Sequence, residues 1–107
     1  MAEERIVYTT VHSKKDGERI ARRLVETRLA ACVNIIPHLE SIYRWEGEIK
    51  TKMEFLLVIK TMHAQLEGVI AKIKKLHPYE VPEIIAVPVV AGSREYLDWL
   101  HTETTSA

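Results

Sequence analysis

Two strand-like stretches flank one short turn in this chain, and each is far longer than a domain of 107 residues needs. Residues 30–45 (AACVNIIPHLESIYRW) and residues 49–61 (IKTKMEFLLVIKT) are rich in the β-branched and aromatic types that suit a pleated, half-buried surface. Between them, W-E-G-E at residues 45–48 supplies a turn, with its glycine where a positive φ is often required. Each arm of the hairpin runs about 13–15 residues, or roughly 45–50 Å if fully extended, against about 5–6 residues for an ordinary strand. Even with the bend that Pro37 imposes, the arms overrun a compact domain. The excess exposes unpaired backbone N–H and C=O groups and carries Ile42, Tyr43 and Trp45, an edge that invites pairing unless another chain completes it. A homo-oligomer is therefore expected; closed symmetry is the default, and the number of chains stays open on this argument.

The remaining segments fit around that hairpin. Residues 5–11 (RIVYTTV) read as a first strand. Ser13 then caps a helix over residues 14–28, with Asp16 placed to reach back as a capping box, Ile20 and Leu24 on the apolar side and Arg19, Arg22, Arg23 and Glu26 turned outward. Gly17 in its first turn is a mild cost. A second helix over residues 63–76 carries Leu66, Val69, Ile70, Ile73 and Leu76 on one stripe, with Lys72, Lys74 and Lys75 on a solvated side that suits a helix C-terminus. Residues 77–83 (HPYEVPE) form a stiff, extended loop, because two prolines fix φ and disfavour helix just before themselves. Residues 83–90 (EIIAVPVV) read as a last core strand, with Pro88 implying an edge or bulge near its end. Ser93 caps a short helix carrying Tyr96, Leu97, Trp99 and Leu100, and the tail from about Thr102 onward is expected to fray. The order βαββαβ, with short right-handed crossovers, predicts an α+β, ferredoxin-like sandwich: four strands, two helices on one face, the long hairpin between the second and third strands, and a short C-terminal helix.

Composition bounds the function. The length allows one domain, residues 1–107, and 47% hydrophobic residues can build its core. The 15 basic and 15 acidic residues cancel, which weighs against nucleic-acid or membrane-surface binding. The third strand also lacks the aromatic-rich pattern of an RNA-recognition sheet. No run approaches the roughly 18 apolar residues of a membrane helix, and a single cysteine permits no intrachain disulfide, so a cytoplasmic setting is expected. No nucleophile elbow, P-loop or dinucleotide fingerprint is present, and the segment after the first strand, H-S-K-K-D-G, lacks the arginine of an acylphosphatase-like anion cradle. No enzyme is predicted. A purely structural or anchoring assembly stays open.

Five segments in order, LAACVNIIP (29–37), SIYRWEGEI (41–49), IKT (59–61), HPYEVPEIIA (77–86) and YLDW (96–99), resemble the CutA family of divalent-cation-tolerance proteins over nearly the whole chain. The resemblance implies a ferredoxin-like fold, a homotrimer built through the hairpins and a cytosolic setting. It also implies a link to divalent-cation tolerance, with copper binding as a family property. The family's fold and trimer are similar to those of the PII signalling proteins, which bind small ligands, anions among them, in clefts between subunits. It implies no reaction.

Six residues follow as candidates. Cys32 stands where the family motif places a cysteine; a thiolate is a soft ligand suited to Cu(I), although a lone cysteine beside Ala31 and Val33 equally reads as a small buried hydrophobe. The five histidines are scattered, with no H-x-H, H-E-x-x-H or C-x-x-C pair, so a metal site needs donors from several subunits. His77 is the best of them, held by a stiff loop with Tyr79, Glu80 and Glu83 near in sequence, and it equally serves as a helix cap. Lys60, carried over with the I-K-T motif, suits an anion in a subunit cleft with Trp45 or Tyr79 as a stacking wall, or reads as a snorkelling lysine. Metal ligands are thus expected at Cys32 and His77, for copper or another divalent cation, and small-ligand contacts at Lys60, Trp45, Tyr79 and Glu83.

Overall fold

Val7, Thr9 and Val11 of β1 (Glu4–Val11) are fully buried and share one face of the strand, which faces the core, while Thr10 is buried on the other face. The computed structural model describes residues 3–105. After β1 come α1 (Lys14–Glu26), β2 (Cys32–Trp45), β3 (Glu48–Met62), a 3-10 turn (His63–Gln65) leading into α2 (Leu66–Leu76), β4 (Ile85–Pro88) and α3 (Arg94–Glu103). The sheet order is β2-β3-β1-β4, every neighbour antiparallel, which is the split βαβ arrangement of a ferredoxin-like sandwich. Leu57 and Ile59 of β3 join Val7 and Val11 against Ile20 and Leu24 of α1 and Val69 and Ile73 of α2. Gly17 explains itself there: a Cβ would stand 3.3 Å from both Leu57 and Val11, so a bare backbone lets α1 settle onto the sheet. On the opposite face, Met62 meets Leu100 of α3 and Ala31.

Ser13 caps α1 by accepting from the Asp16 N–H at 3.1 Å. The Asp16 carboxylate accepts from the Ser13 hydroxyl at 2.9 Å rather than from its backbone N–H, so the box closes side chain to side chain. The helix ends at Glu26, two residues before the expected limit, because Arg28 turns into left-handed backbone (φ 61°). The last strand is shorter than expected, Ile85–Pro88, and is no core strand within one chain: all four residues are exposed, and it pairs with β1 on one side only. The loop before it bends at residues 79–81 instead of running extended. The expected fraying from Thr102 does not occur up to Thr105. Residues 102–103 are helical, Thr104 is buried, and its carbonyl accepts from Gln65 at 2.6 Å; the last two residues lie outside the described range.

The hairpin is as long as its sequence demands, with 14 residues in β2 and 15 in β3. β1 accompanies β3 only from Phe55 to Met62, so the part from Leu39 to Glu54 stands clear as a two-stranded arm. It stretches the molecule to 44 × 25 × 23 Å and a radius of gyration of 14.4 Å, where a compact chain of this length has about 13 Å. At its tip Glu46 (φ 50°) and Gly47 (φ 81°) make a two-residue turn with both φ positive. At its base the register shifts between Ile36 and Leu39, with His38 at φ 62°. None of the helices among the described residues is long and apolar enough to cross a membrane.

Candidate functional site

The bulge at Pro37 and His38 decides what the arm presents. Before it, Cys32, Asn34 and Ile36 pair with Lys60, Val58 and Leu56 on the sheet face away from α1 and α2; after it, Leu39, Ser41, Tyr43 and Trp45 occupy that face opposite Glu54, Lys52, Lys50 and Glu48. One extra residue has changed the parity of the strand. Unbroken alternation from Cys32 would have placed Glu40, Ile42 and Arg44 there instead.

The re-aimed residues wall an open cavity of about 680 Å³, closed on its other side by the loop that follows α2. Its floor is Glu54, buried at mid-strand and held at both oxygens: Ser41 donates to Oε1 at 2.6 Å and the Tyr79 hydroxyl to Oε2 at 2.5 Å. Burial, and then this bond to a carboxylate, push the Tyr79 phenol well above its usual range, so Tyr79 stays a proton donor. The Lys52 ammonium lies over the Tyr79 ring, 4.1 Å from its centroid, and His12 stacks at 5.8 Å. Tyr43, Trp45, Glu80 and Glu83 complete the rim.

His77 stands behind Tyr79 and is 7% exposed. Its Nδ1 accepts from the Tyr79 backbone N–H at 3.1 Å, so Nε2 carries the ring proton and donates to the Thr10 carbonyl at 2.7 Å. Burial pushes its pKa down. The imidazole is neutral, both nitrogens are engaged, and its visible work is to fix the loop that carries Tyr79.

Of the expected residues, the structure therefore gathers Trp45, Tyr79 and Glu83 around one cavity, with His77 as their support. It leaves Cys32 and Lys60 elsewhere. These two pair across β2 and β3, six positions along β3 from Glu54, or about 20 Å. There Lys60 Nζ donates to Asn34 Oδ1, and Cys32 is half-buried near Tyr96, whose phenol is held above its ordinary pKa by burial first and then by the neighbouring cysteine. No group of three or more His, Cys, Asp or Glu side chains among the described residues is placed to hold a metal ion. Glu54 and Lys52 escaped the sequence because they sit inside a strand-like run; the alternation M-E-F around Glu54 marked it as facing away from the helices, but only the tertiary loop makes it a floor.

The sequence pattern of the family described as CutA1 divalent ion tolerance protein matches residues 5–103. The chain belongs to that family. It is 52% identical to the divalent-cation tolerance protein CutA of Thermus thermophilus, covering 94% of this chain and 98% of that one. The solved Thermus CutA1 structure superposes with a TM-score of 0.93 at 51% identity, over 95% and 99% of the two chains. That of CutA1 from Oryza sativa does so with 0.94 at 42%, over 99% and 97%. Relatives differ in length and address: the rice and Arabidopsis proteins are described as chloroplastic, and this chain spans only 56% and 54% of them. The Archaeoglobus fulgidus CutA of known structure is described as periplasmic.

Proposed function

We propose that this CutA1-family chain serves divalent-cation tolerance as a cytoplasmic homotrimer that takes up a metal ion or small ligand in clefts between protomers. The observation that carries this reading is the free hairpin arm. Ile49 and Met53 are 60% and 58% exposed on one of its faces, Tyr43 and Trp45 wall the cavity on the other, and Ile42, 69% exposed, reaches the cavity rim. An apolar surface of that kind asks for a partner, and identical chains supply one under closed symmetry. Among the described residues of one chain no group of three or more His, Cys, Asp or Glu side chains is placed to hold copper or another divalent cation. A site using the Cys32 thiolate and His77 draws them from different protomers, and His77 has to give up its bond to Tyr79 or to Thr10 to ligate.

Native mass spectrometry of the metal-free protein, titrated with Cu(I) under reducing conditions and separately with Cu(II), tests this. The expected result is a trimer with saturable uptake weakened by Cys32→Ala or His77→Ala. A trimer indifferent to both ions removes the metal and leaves the cleft for small ligands; a monomer removes the assembly as well. Cell fractionation with antibody detection checks the cytoplasmic setting.

A further inference from the structure

The cavity under the hairpin arm has a chemical bias of its own. Three aromatic rings, Tyr43, Trp45 and Tyr79, share it with three carboxylates, Glu54, Glu80 and Glu83, and with one cation, Lys52. The carboxylates outnumber the cation, so the lining favours positive charge. Lys52 shows where that charge goes. Its ammonium lies 4.1 Å from the Tyr79 ring centroid and makes no ion pair among the described residues, although three carboxylates line the same cavity. The chain has thus set its own alkylammonium on the aromatic wall, where the ring quadrupole attracts a cation. Glu54 is already satisfied by Ser41 and Tyr79. Glu80 and Glu83 form no salt bridge among the described residues and are free to face a guest. A volume of about 680 Å³ falls in the range of small-molecule sites.

We propose that this cavity is a binding site for a small organic ammonium cation, seated on Tyr79 and Trp45 in the place of the Lys52 ammonium and countered by Glu80 and Glu83. It rests on the reading of the cleft as a ligand site only in using the same walls, and it requires no metal. Lys52 then acts as a tethered competitor that an incoming cation must displace.

The test is isothermal titration calorimetry of the purified protein in its native assembly, at constant ionic strength. Choline chloride is compared with 3,3-dimethylbutan-1-ol, its neutral isostere, and with sodium acetate. Choline should bind saturably and the isostere about tenfold more weakly, because only the charge differs. Lys52→Met should strengthen choline binding about three- to fivefold by removing the competitor, a direction that a merely structural lysine would not produce. Glu80→Gln with Glu83→Gln should weaken it about five- to tenfold. Equal binding of the isostere, or weaker choline binding in Lys52→Met, overturns the proposal. Acetate binding without choline also overturns it while keeping the cleft as a ligand site. Binding of none of the three, in a protein that still takes up copper, removes the ammonium site and leaves the metal reading standing.

Discussion

Thr9 Oγ1 is buried on the helix side of β1 with no hydrogen-bond partner among the described residues. It sits in line with Val7 and Val11, where a methyl group would fill the same space without an orphan hydroxyl. Thr9→Val should therefore raise stability by about 1–2 kcal/mol, read from the guanidinium midpoint at fixed protomer concentration. A less stable variant would mean that the hydroxyl has a partner in solution. His77 makes a second prediction. The folded chain holds it neutral with a lowered pKa, while the unfolded chain protonates it at about 6.5. Just below that pH the unfolded state binds a proton that the folded state refuses, so the contribution of His77 is complete above pH ~6.5 and declines as pH falls toward the lowered value. Unfolding midpoints measured from pH 7 down to 5 should fall more steeply for the wild type than for His77→Gln, whose side-chain amide keeps a donor for Thr10. Parallel slopes would refute the assignment.

At the level of elements, the hairpin turn combines two left-handed residues, and only one of them is glycine. Glu46 at φ 50° carries a Cβ in a region that disfavours it, whereas asparagine tolerates that region and Asn-Gly is the strongest two-residue hairpin signal. Glu46→Asn should stabilise the protein by about 0.5–1 kcal/mol, seen as slower amide exchange at Arg44, Trp45 and Ile49; unchanged exchange would show that the tip frays independently of its turn. Most elements were legible in the sequence because their signals are local: the β-branched and aromatic run of β1, the stripe of α2, and the capping serine of α1 at position 13. The cavity was legible in its residue types but not in its membership. Trp45, Tyr79 and Glu83 were expected to act together, yet Lys60 was expected beside them and lies far down β3. What hid the difference is the bulge at residues 37–38. A proline signals a bend, but only the register shows that the strand changes face there, bringing Ser41 and Tyr43 to Glu54.

At the scale of the whole molecule, the apolar run at residues 83–90 misled for a physical reason. A continuous apolar stretch reads as a strand covered on both faces. In one chain β4 has a single neighbour and Ile85 and Val87 are 54% and 37% exposed, so its apolarity finds no core inside the protomer. The same holds for the far side of the arm, where Ile49 and Met53 are exposed and take no part in the cavity lining. Sequence periodicity reports burial in the assembled state and does not say which chain provides the cover. If a second copy covers these positions, charging them should dissociate the assembly while sparing the fold, because neither residue belongs to the protomer's buried core. Ile49→Glu with Met53→Glu should shift sedimentation from trimer to monomer at micromolar concentration, with the far-ultraviolet circular dichroism retained. Since the cavity walls Tyr43 and Trp45 lie on the opposite face of the arm, the monomer should also separate two roles: ligand binding that survives dissociation belongs to one chain, and binding lost with the trimer belongs to a cleft that two chains share. A trimer that tolerates both glutamates would place the contact elsewhere, leaving the free edges of β2 and β4 as the surfaces to charge next.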